Sequence, residues 1–316
     1  MNLNNIRKII TRGRILEQEP MARHTTFRVG GPARYFITPA TKRELAGLVR
    51  YLYNNGIEYF VMGNGSNLLV SDEGYGGVII DMGKNDGTEF TMLGIDDGSD
   101  KDTACAEGEI LFDAGAGCLM SAIGSFARQF SASGFECLSG IPGCIGGALA
   151  MNAGAYGSEM KDIVRSVQAV SPKGEPVVLS GEELSFRYRG SAIMDGGYIA
   201  ARTELSLKKG DADAIAAKME ECAQKRKEKQ PLEFPSAGST FKRPEGMFAG
   251  QLIEEAGLKG LSVGGAQVSE KHAGFIINRD HASASDIYQL IRDVEEKVYA
   301  HAGVRLTPEV RILGRF

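Results

Sequence analysis

The chemistry open to this chain begins with its glycines. From Glu136 to Glu159 the sequence reads E-C-L-S-G-I-P-G-C-I-G-G-A-L-A-M-N-A-G-A-Y-G-S-E. Gly140, Gly143, Gly146, Gly147, Gly154 and Gly157 fall within it, and Pro142 fixes one φ. Glycine loses more freedom on ordering than any other residue. So dense a run persists where backbone must turn through positive φ or press closely on something flat or charged. Its remaining residues, among them Ile141, Ile145 and Asn152, are mostly small or apolar, unlike a solvated linker. The stretch reads as a buried loop wrapped around a large ligand. A tight turn followed by a glycine-packed helix start is the competing reading.

A second loop, G-N-G-S-N, holds Gly63, Asn64, Gly65, Ser66 and Asn67. It contains G-x-G, but Leu68 stands at the position of the third glycine, and Leu68-Leu-Val-Ser-Asp is strand-like rather than the opening of a helix. The Rossmann fingerprint needs that helix N-terminus for its pyrophosphate, so it is rejected here. Successive backbone N–H groups, aided by Ser66 and Asn67, can still cradle a pyrophosphate. A Gly-Asn turn at a strand end competes with that reading. Together with Gly115-Ala-Gly117, the two loops would surround an extended dinucleotide.

Composition narrows the field. Of 316 residues, 43% are apolar and 24% charged, a globular profile, and 41 are glycine, well above the usual share of about 7%. A net charge of −4 gives a nucleic-acid partner no electrostatic support. The five cysteines are odd in number and form no C-x-x-C, against a disulfide framework and a cysteine zinc site, and no metal is expected. The N-terminus lacks a secretory h-region and no apolar run reaches spanning length. A cytoplasmic protein with no membrane partner is expected; oligomeric state is unreadable, with a monomer favoured.

Residues 1–20 read as a short polar helix. Gly30-Gly31-Pro32 marks a turn between two strand-like runs. Thr41 to Glu44 forms a capping box opening a helix to about Asn55. Strands follow at Glu58–Met62 and Gly76–Asp81, a βαβ-like opening that points to a small mixed lobe. A hairpin is expected around Gly94 to Asp102, then a strand at Ile110–Ala114 and a helix from Cys118 to about Phe130. Strands near Val164–Ser171, Pro176–Leu179 and Tyr198–Leu207 precede a helix at Asp211–Lys229, which Pro231 and Pro235 end. The last third holds a helix at Phe248–Ala256, a strand at Gly274–Asn278, an amphipathic helix from Ser285 to about His301 with Ile287, Leu290, Ile291, Val294 and Val298 on one face, and a final strand from Leu306.

Six segments carry a family resemblance, in order: G-N-G-S-N-L-L-V-S-D; G-I-P-G-C-I-G-G-A with M-N-A-G-A-Y-G; F-R-Y-R-G-S; A-G-S-T-F-K-R-P; G-G-A-Q-V-S-E-K-H-A-G-F-I-I-N; and P-E-V-R-I. Spanning about Thr25 to Arg311, they resemble the UDP-N-acetylenolpyruvoylglucosamine reductases (MurB). The resemblance implies an α+β fold: a two-lobed FAD-binding domain of the vanillyl-alcohol-oxidase (PCMH) type and a smaller C-terminal α+β domain for the UDP-sugar. The expected boundaries are residues 1–82 for the first lobe, to which a strand in 307–316 returns, 83–229 for the second and 230–306 for the substrate domain. FAD would be bound non-covalently, with NADPH as co-substrate. Reduced flavin would pass hydride to the enolpyruvyl double bond, giving the lactyl ether of UDP-N-acetylmuramate.

Hydride addition at the β-carbon leaves charge on the α-carbon and its carboxylate, so the site needs donors aimed at that charge and an acid for the carbon. By resemblance Ser239 is the proton donor, Arg189 steadies the enediolate and Glu309 is the catalytic glutamate. The ordinary alternatives are a turn serine, a surface ion pair and a cross-strand ion pair. Arg187 is taken to alternate to the other strand face from Arg189, and Arg311 to share a strand face with Glu309. Tyr156, Lys229, Arg243, His272 and Arg311 are substrate-side candidates; Arg243 and His272 stand where other members carry neutral amides. Arg202 is assigned near FAD. The short interval from Arg189 to Ser239 marks the shorter family type, without the tyrosine-bearing loop that folds over substrate. The competing functions are an FAD-dependent alcohol or sugar oxidase of the same fold, a class that often tethers its flavin through His or Cys although neither His24 nor Cys144, the nearest to the loops, sits in a convincing attachment context, and a non-enzymatic nucleotide-sugar binding module.

Overall fold

The computed structural model describes residues 2–83, 87–96 and 108–316. Its first surprise is near the N-terminus, where the helix covers only Leu3–Ile9 and a strand, Arg14–Pro20, takes the rest. Gly13 explains the break: a Cβ there would lie 2.2 Å from the Thr38 carbonyl oxygen, so the chain passes flat against its neighbour. The Glu44 carboxylate gathers this corner. It accepts from the N–H groups of Thr11 (2.7 Å), Arg12 (2.6 Å), Gly13 (3.1 Å) and Ala40 (2.8 Å), and from the Thr11 hydroxyl. The expected capping box is therefore only half formed. Thr41 accepts the Glu44 N–H at 3.1 Å and caps Lys42–Asn54, but the Glu44 carboxylate turns to donors outside the helix.

A four-stranded sheet runs in the order Arg14–Pro20, Pro32–Thr38, Tyr75–Asp81, Tyr59–Met62. Its last two strands are parallel, from Tyr59 opposite Val78 to Met62 opposite Asp81. The strand-like run expected before Gly30 is instead a short 3-10 turn, Met21–Arg23, and irregular chain. The larger sheet is antiparallel, in the order Pro176–Ser180, Val164–Val170, Ile199–Lys209, Glu109–Gly115, Leu93–Asp96. The hairpin expected at Gly94 to Asp102 lies mostly outside the described residues; Leu93–Asp96 pairs with Glu109–Gly115 across that interval.

The chain divides into two compact units. The first comprises Met1–Leu16, Phe36–Asn64 and Val78–Gln224; the second comprises Glu17–Tyr35, Gly65–Gly77 and Lys225–Phe316. The first has its core between the large sheet and the Met120–Gln129 and Ile145–Ala150 helices, around Phe112, Ile123, Leu138, Ile145, Leu149 and Leu205. The rings of Phe112, Phe126 and Phe130 meet edge to face at 4.9–6.4 Å.

The second unit is built on the Ala284–Ala302 helix. Its expected stripe, Ile287, Leu290, Ile291, Val294 and Val298, is wholly buried. Ser283 and Asp286 form a complete capping box, and Gly303 ends the helix at φ 68°. Asp72 reinforces the start, accepting from Ala284 N–H, Ser285 N–H and the Ser285 hydroxyl at 2.7–2.8 Å. A three-stranded sheet, Ser262–Val263, Ala266–Val268 and Ile276–Asn278, packs on this helix. The Ala212–Lys229 helix stops two residues ahead of Pro231, which cannot donate to a continuing helix.

Candidate active site

In the first unit three glycine-rich loops meet backbone to backbone. A Cβ on Gly63 would lie 2.2 Å from Cys144 Sγ, and one on Gly146 would lie 3.0 Å from the Ala116 Cβ and carbonyl oxygen. One on Gly115 would fall 2.3 Å from the Phe90 carbonyl oxygen, and one on Gly117 2.6 and 2.7 Å from those of Gly83 and Met82. Hydrogen bonds sew the loops together: Met120 N–H to Gly143, Ile145 N–H to Cys118 and Gly146 N–H to Ala116, at 2.8–3.1 Å. Gly143 and Gly157 take positive φ, 121° and 89°, while Gly154 approaches the Ser158 carbonyl oxygen. Gly147 needs neither excuse. It is helical and exposed, and a Cβ on it would meet no atom within 4 Å beyond its neighbours and its own helix backbone. Gly140 and Pro142 are exposed nearby, whereas the Ile141 and Ile145 side chains pack on the core, leaving only backbone to face a ligand.

Three candidates on these segments share an unusual backbone. Asn152, Tyr156 and Arg189 have φ of 42°, 52° and 55°, a region L side chains rarely adopt. Tyr156 and Gly157 are the two central residues of a hairpin between Gly154–Ala155 and Ser158–Glu159, both with φ > 0, as a type I′ turn requires. Arg189 is not on a strand, contrary to the alternation expected of Arg187 and Arg189. Arg187 and Gly190 exchange two backbone hydrogen bonds, 3.0 and 3.1 Å, closing a turn with Tyr188 and Arg189 at its tip. Arg187 ion-pairs with Asp195, and the Arg189 guanidinium stands 5.2 Å over the Tyr188 ring. Asn152 is 2% exposed and its side chain is bonded within the protein, not turned outward. Arg202 lies in register with Gly115 and pairs bidentately with Asp113 at 2.7–3.0 Å. Burial holds the Cys144 thiol well above its ordinary pKa, and that sulfur packs on Gly63, so it is a poor nucleophile for tethering a flavin.

In the second unit one buried residue that the sequence did not single out ties two of the candidate residues together. Thr240 has no exposed surface; its N–H donates to Gly274 (2.8 Å), its carbonyl accepts Glu309 N–H (2.7 Å) and its hydroxyl accepts Ile276 N–H (3.1 Å). Ser239 and Glu309 are thereby drawn to one place from 70 residues apart in number. Gly274 separates Ser239 from His272: a Cβ on it would lie 3.5 Å from Ser239 Oγ and 3.0 Å from His272 Cε1. His272 Nδ1 accepts Gly274 N–H at 3.1 Å, which leaves the proton of the neutral ring on Nε2. Burial lowers the His272 pKa, and the charges of Lys259 and Lys229 add to this, so Lys229 is within electrostatic reach. Arg243 stacks over Phe248, 4.4 Å from the ring centre.

The tail corrects a second expectation. The strand is only Arg311–Leu313, so Glu309 and Arg311 do not share a strand face. Glu309 N–H pairs with Thr240, whereas Arg311 N–H pairs with Asn67 (3.0 Å) as the strand joins Leu68–Val70 in parallel. The segment changes partner between them, and Pro308 has no N–H to offer. Gly65 and Asn67 belong here too. Gly65, at φ 61°, would drive a Cβ to 1.9 Å from the His24 carbonyl oxygen, and the Asn67 side chain donates to the Glu309 carbonyl at 3.1 Å. His24 Nε2 lies 2.9 Å from Glu19. Among the described residues no cluster of His, Cys, Asp or Glu is placed to hold a metal, and no helix is long and apolar enough to cross a membrane.

Known proteins are similar to this chain along nearly its whole length. Residues 33–180 match the FAD binding domain family, and residues 230–313 match the C-terminal domain of UDP-N-acetylenolpyruvoylglucosamine reductase. The reductase of that name from Caldanaerobacter subterraneus subsp. tengcongensis is 44% identical over 99% of this chain and 98% of its own. That from Clostridioides difficile is 46% identical over 98% and 97%. The crystal structure of the Thermus caldophilus enzyme (MurB) superposes with a TM-score of 0.77 at 36% identity, over 96% of this chain and 99% of that one. The α+β fold, with an FAD-binding region and a C-terminal domain, is thus the one the sequence led us to expect. On these similarities the chain belongs to the UDP-N-acetylenolpyruvoylglucosamine reductase family.

Proposed function

We propose that this protein is an FAD-containing, NADPH-dependent oxidoreductase that reduces the enolpyruvyl group of UDP-N-acetylglucosamine enolpyruvate to the lactyl ether of UDP-N-acetylmuramate. It serves peptidoglycan precursor synthesis, hence cell shape and division, as a cytoplasmic monomer. The observation that carries the reading is identity of 44–46% with reductases of that name over nearly the full length.

The residues present fit FAD. Loops whose contacts exclude a Cβ at Gly63, Gly115, Gly117 and Gly146, beside an open face at Gly147, make a backbone-lined cradle. Gly63 to Asn67, Gly115, Gly117, Gly140 to Gly143, Ile145 to Gly147, Asn152 and Gly154 form this cofactor-binding group, mostly through main chain and at Asn152 through main chain alone, since its side chain is bonded within the protein. Bound there, the flavin supplies the hydride. Residues 1–82 and 83–229 act as the two FAD lobes and 230–306 as the substrate domain.

The chain's own residues handle charge and proton. The Arg189 guanidinium, a planar fork of donors, steadies the negative charge that builds on the substrate carboxylate. Ser239 gives its hydroxyl proton to the α-carbon, which a weak acid can do only for a strongly basic carbanion held at contact distance. Glu309 polarises the enolate. Tyr156, Lys229, Arg243, His272 and Arg311 bind the UDP-sugar; Lys229 suits the diphosphate. The test is NADPH consumption that requires UDP-N-acetylglucosamine enolpyruvate. Ser239→Ala should bind FAD and let NADPH bleach it, yet turn over about 10²-fold or more slower. Wild-type turnover by that variant would remove Ser239 from its role, and colourless protein that takes up no FAD would remove the function itself.

A further inference from the structure

The segment carrying Arg189 is clamped at two points to the end of the Ile145–Ala150 helix. At one end Asn152 Nδ2 donates to the Arg187 carbonyl at 3.3 Å. At the other the Ser191 hydroxyl, fully buried, donates to the Ala150 carbonyl at 3.1 Å. Between them lies the two-residue turn that presents Arg189 at φ 55°. A non-glycine residue in that region costs about 1 kcal/mol or more, and the conformation survives only where its surroundings over-determine it.

Asn152 is itself fixed by more than this bond. Its amide also donates to Glu159 Oε2 (2.9 Å), and its oxygen accepts Lys161 N–H (3.0 Å). Glu159 takes Lys161 Nζ at 2.8 Å, and it forms a reciprocal capping box with Asp162, accepting that residue's N–H on its side chain, which places the carboxylate beside Asn152. Glu159 also faces Arg189 electrostatically. Every polar atom of the Asn152 side chain therefore serves the protein, and one of them serves the Arg189 turn.

We propose that the side chain of Asn152, a residue grouped above with the cofactor loops, is a positioning group: with Ser191 it locks the Arg187–Gly190 turn so that the Arg189 guanidinium is preset for the charge that develops on the substrate. The proposal rests on the assignment of Arg189 made above. A preset cation acts on the transition state more than on bound substrate, so its loss lowers kcat and kcat/KM together and leaves KM nearly unchanged.

The experiment is a double-mutant cycle on the FAD-loaded full chain, with kcat, KM for the enolpyruvyl substrate, FAD affinity and the rate of NADPH bleaching as readouts. The variants are Asn152→Ala, Asn152→Gly, which tolerates φ 42° and removes the side chain alone, Ser191→Ala and Arg189→Lys. Expected are unchanged FAD affinity and bleaching for the Asn152 variants, with kcat down about 30-fold, and Arg189→Lys down about 100-fold or more. In the Arg189→Lys background, losing Asn152 should cost no more than about twofold further, because both lesions remove one effect. Fully multiplicative losses, or a drop in FAD affinity with kcat intact at saturating FAD, overturn the proposal and return Asn152 to the cofactor or to general stability. If Arg189→Lys turns over as the wild type does, the assignment of Arg189 is what fails, and the clamp's catalytic purpose goes with it. Should Asn152→Ala not fold, Asn152→Gly and Ser191→Ala carry the same comparison.

Discussion

Two glycines thirty residues apart should respond oppositely to the same added methyl. At Gly117 the new Cβ would stand 2.6, 2.7 and 3.1 Å from three main-chain carbonyl oxygens, of Gly83, Met82 and Phe90. Ordinary contact begins near 3.4 Å, so backbone on two segments must retreat by roughly 0.7 Å, an overpacking that costs about 3 kcal/mol. At Gly147 the methyl meets no atom within 4 Å beyond its neighbours and its own helix backbone, and it sits inside a helix, where alanine is favoured by up to about 1 kcal/mol. Gly147→Ala apoprotein should therefore melt at or slightly above the wild-type Tm, and Gly117→Ala several degrees below it. If Gly147 lines the cofactor cradle, the methyl lies where FAD must, and affinity should fall at least tenfold, about 1.4 kcal/mol. Fluorescence titration of apoprotein with FAD reads the affinity, and thermal unfolding monitored by far-UV circular dichroism reads the fold. The reasoning is refuted if Gly147→Ala binds FAD as tightly as the parent, or if it is the variant that unfolds early.

Other perturbations test single groups. Glu44 is 4% exposed; burial pushes its pKa up, but hydrogen bonds from Ala40, Arg12 and Thr11 outweigh that and hold it below the ordinary 4.5. Its stabilisation is thus present above pH 4.5 and lost as pH falls through the lower folded value. Glu44→Gln, which turns an NH2 against N–H donors, should cost about 2–4 kcal/mol in urea unfolding at pH 7; an unchanged midpoint would show that the carboxylate is dispensable. His272, lowered from 6.5 by burial, favours the fold above pH 6.5 and progressively less as pH drops toward its folded pKa. Below pH 6.5 the wild type should lose stability relative to His272→Gln, by at most about 1.4 kcal/mol per pH unit. Taking that difference cancels Glu295, whose raised pKa acts with the opposite sign; parallel profiles would contradict a neutral buried ring. Cys137 and Cys222 lie with sulfurs 3.3 Å apart, and burial pushes the Cys222 thiol up to about 11. Diamide, an azo oxidant that takes up both thiol hydrogens, should link them with a loss of about 2 Da, faster at pH 9 than at pH 7; a peptide map showing any other pairing would rule this out.

The local expectations that held share one physical basis. The Ala284–Ala302 helix was legible because its apolar spacing, Ser283 cap and Gly303 stop all lie within a few residues of one another. The glycine loops were legible because glycine density itself reports where backbone must crowd or invert, and the absence of a helix after Gly63–Asn67 excluded the Rossmann arrangement, in agreement with the strand at Leu68–Val70. Sequence order also carried the family, since its motifs are dense and local. What remained hidden depends on partners distant along the chain. Glu44 looked like half of a capping box until donors some thirty residues away took its carboxylate. Arg187 and Arg189 looked like strand neighbours until Asn152 and Ser191 fixed the turn between them. Glu309 and Ser239 are joined by Thr240, whose place beside Ser239 in the sequence says nothing of its bond to a residue 69 positions on. Composition and periodicity therefore determined which elements form and where main chain must crowd or invert, because those properties are summed over adjacent residues. Tertiary structure alone decided which side chains are satisfied internally and which are left to act, because a hydrogen bond is assigned by distance in space, and one buried donor can redirect a carboxylate or a turn from any point along the chain.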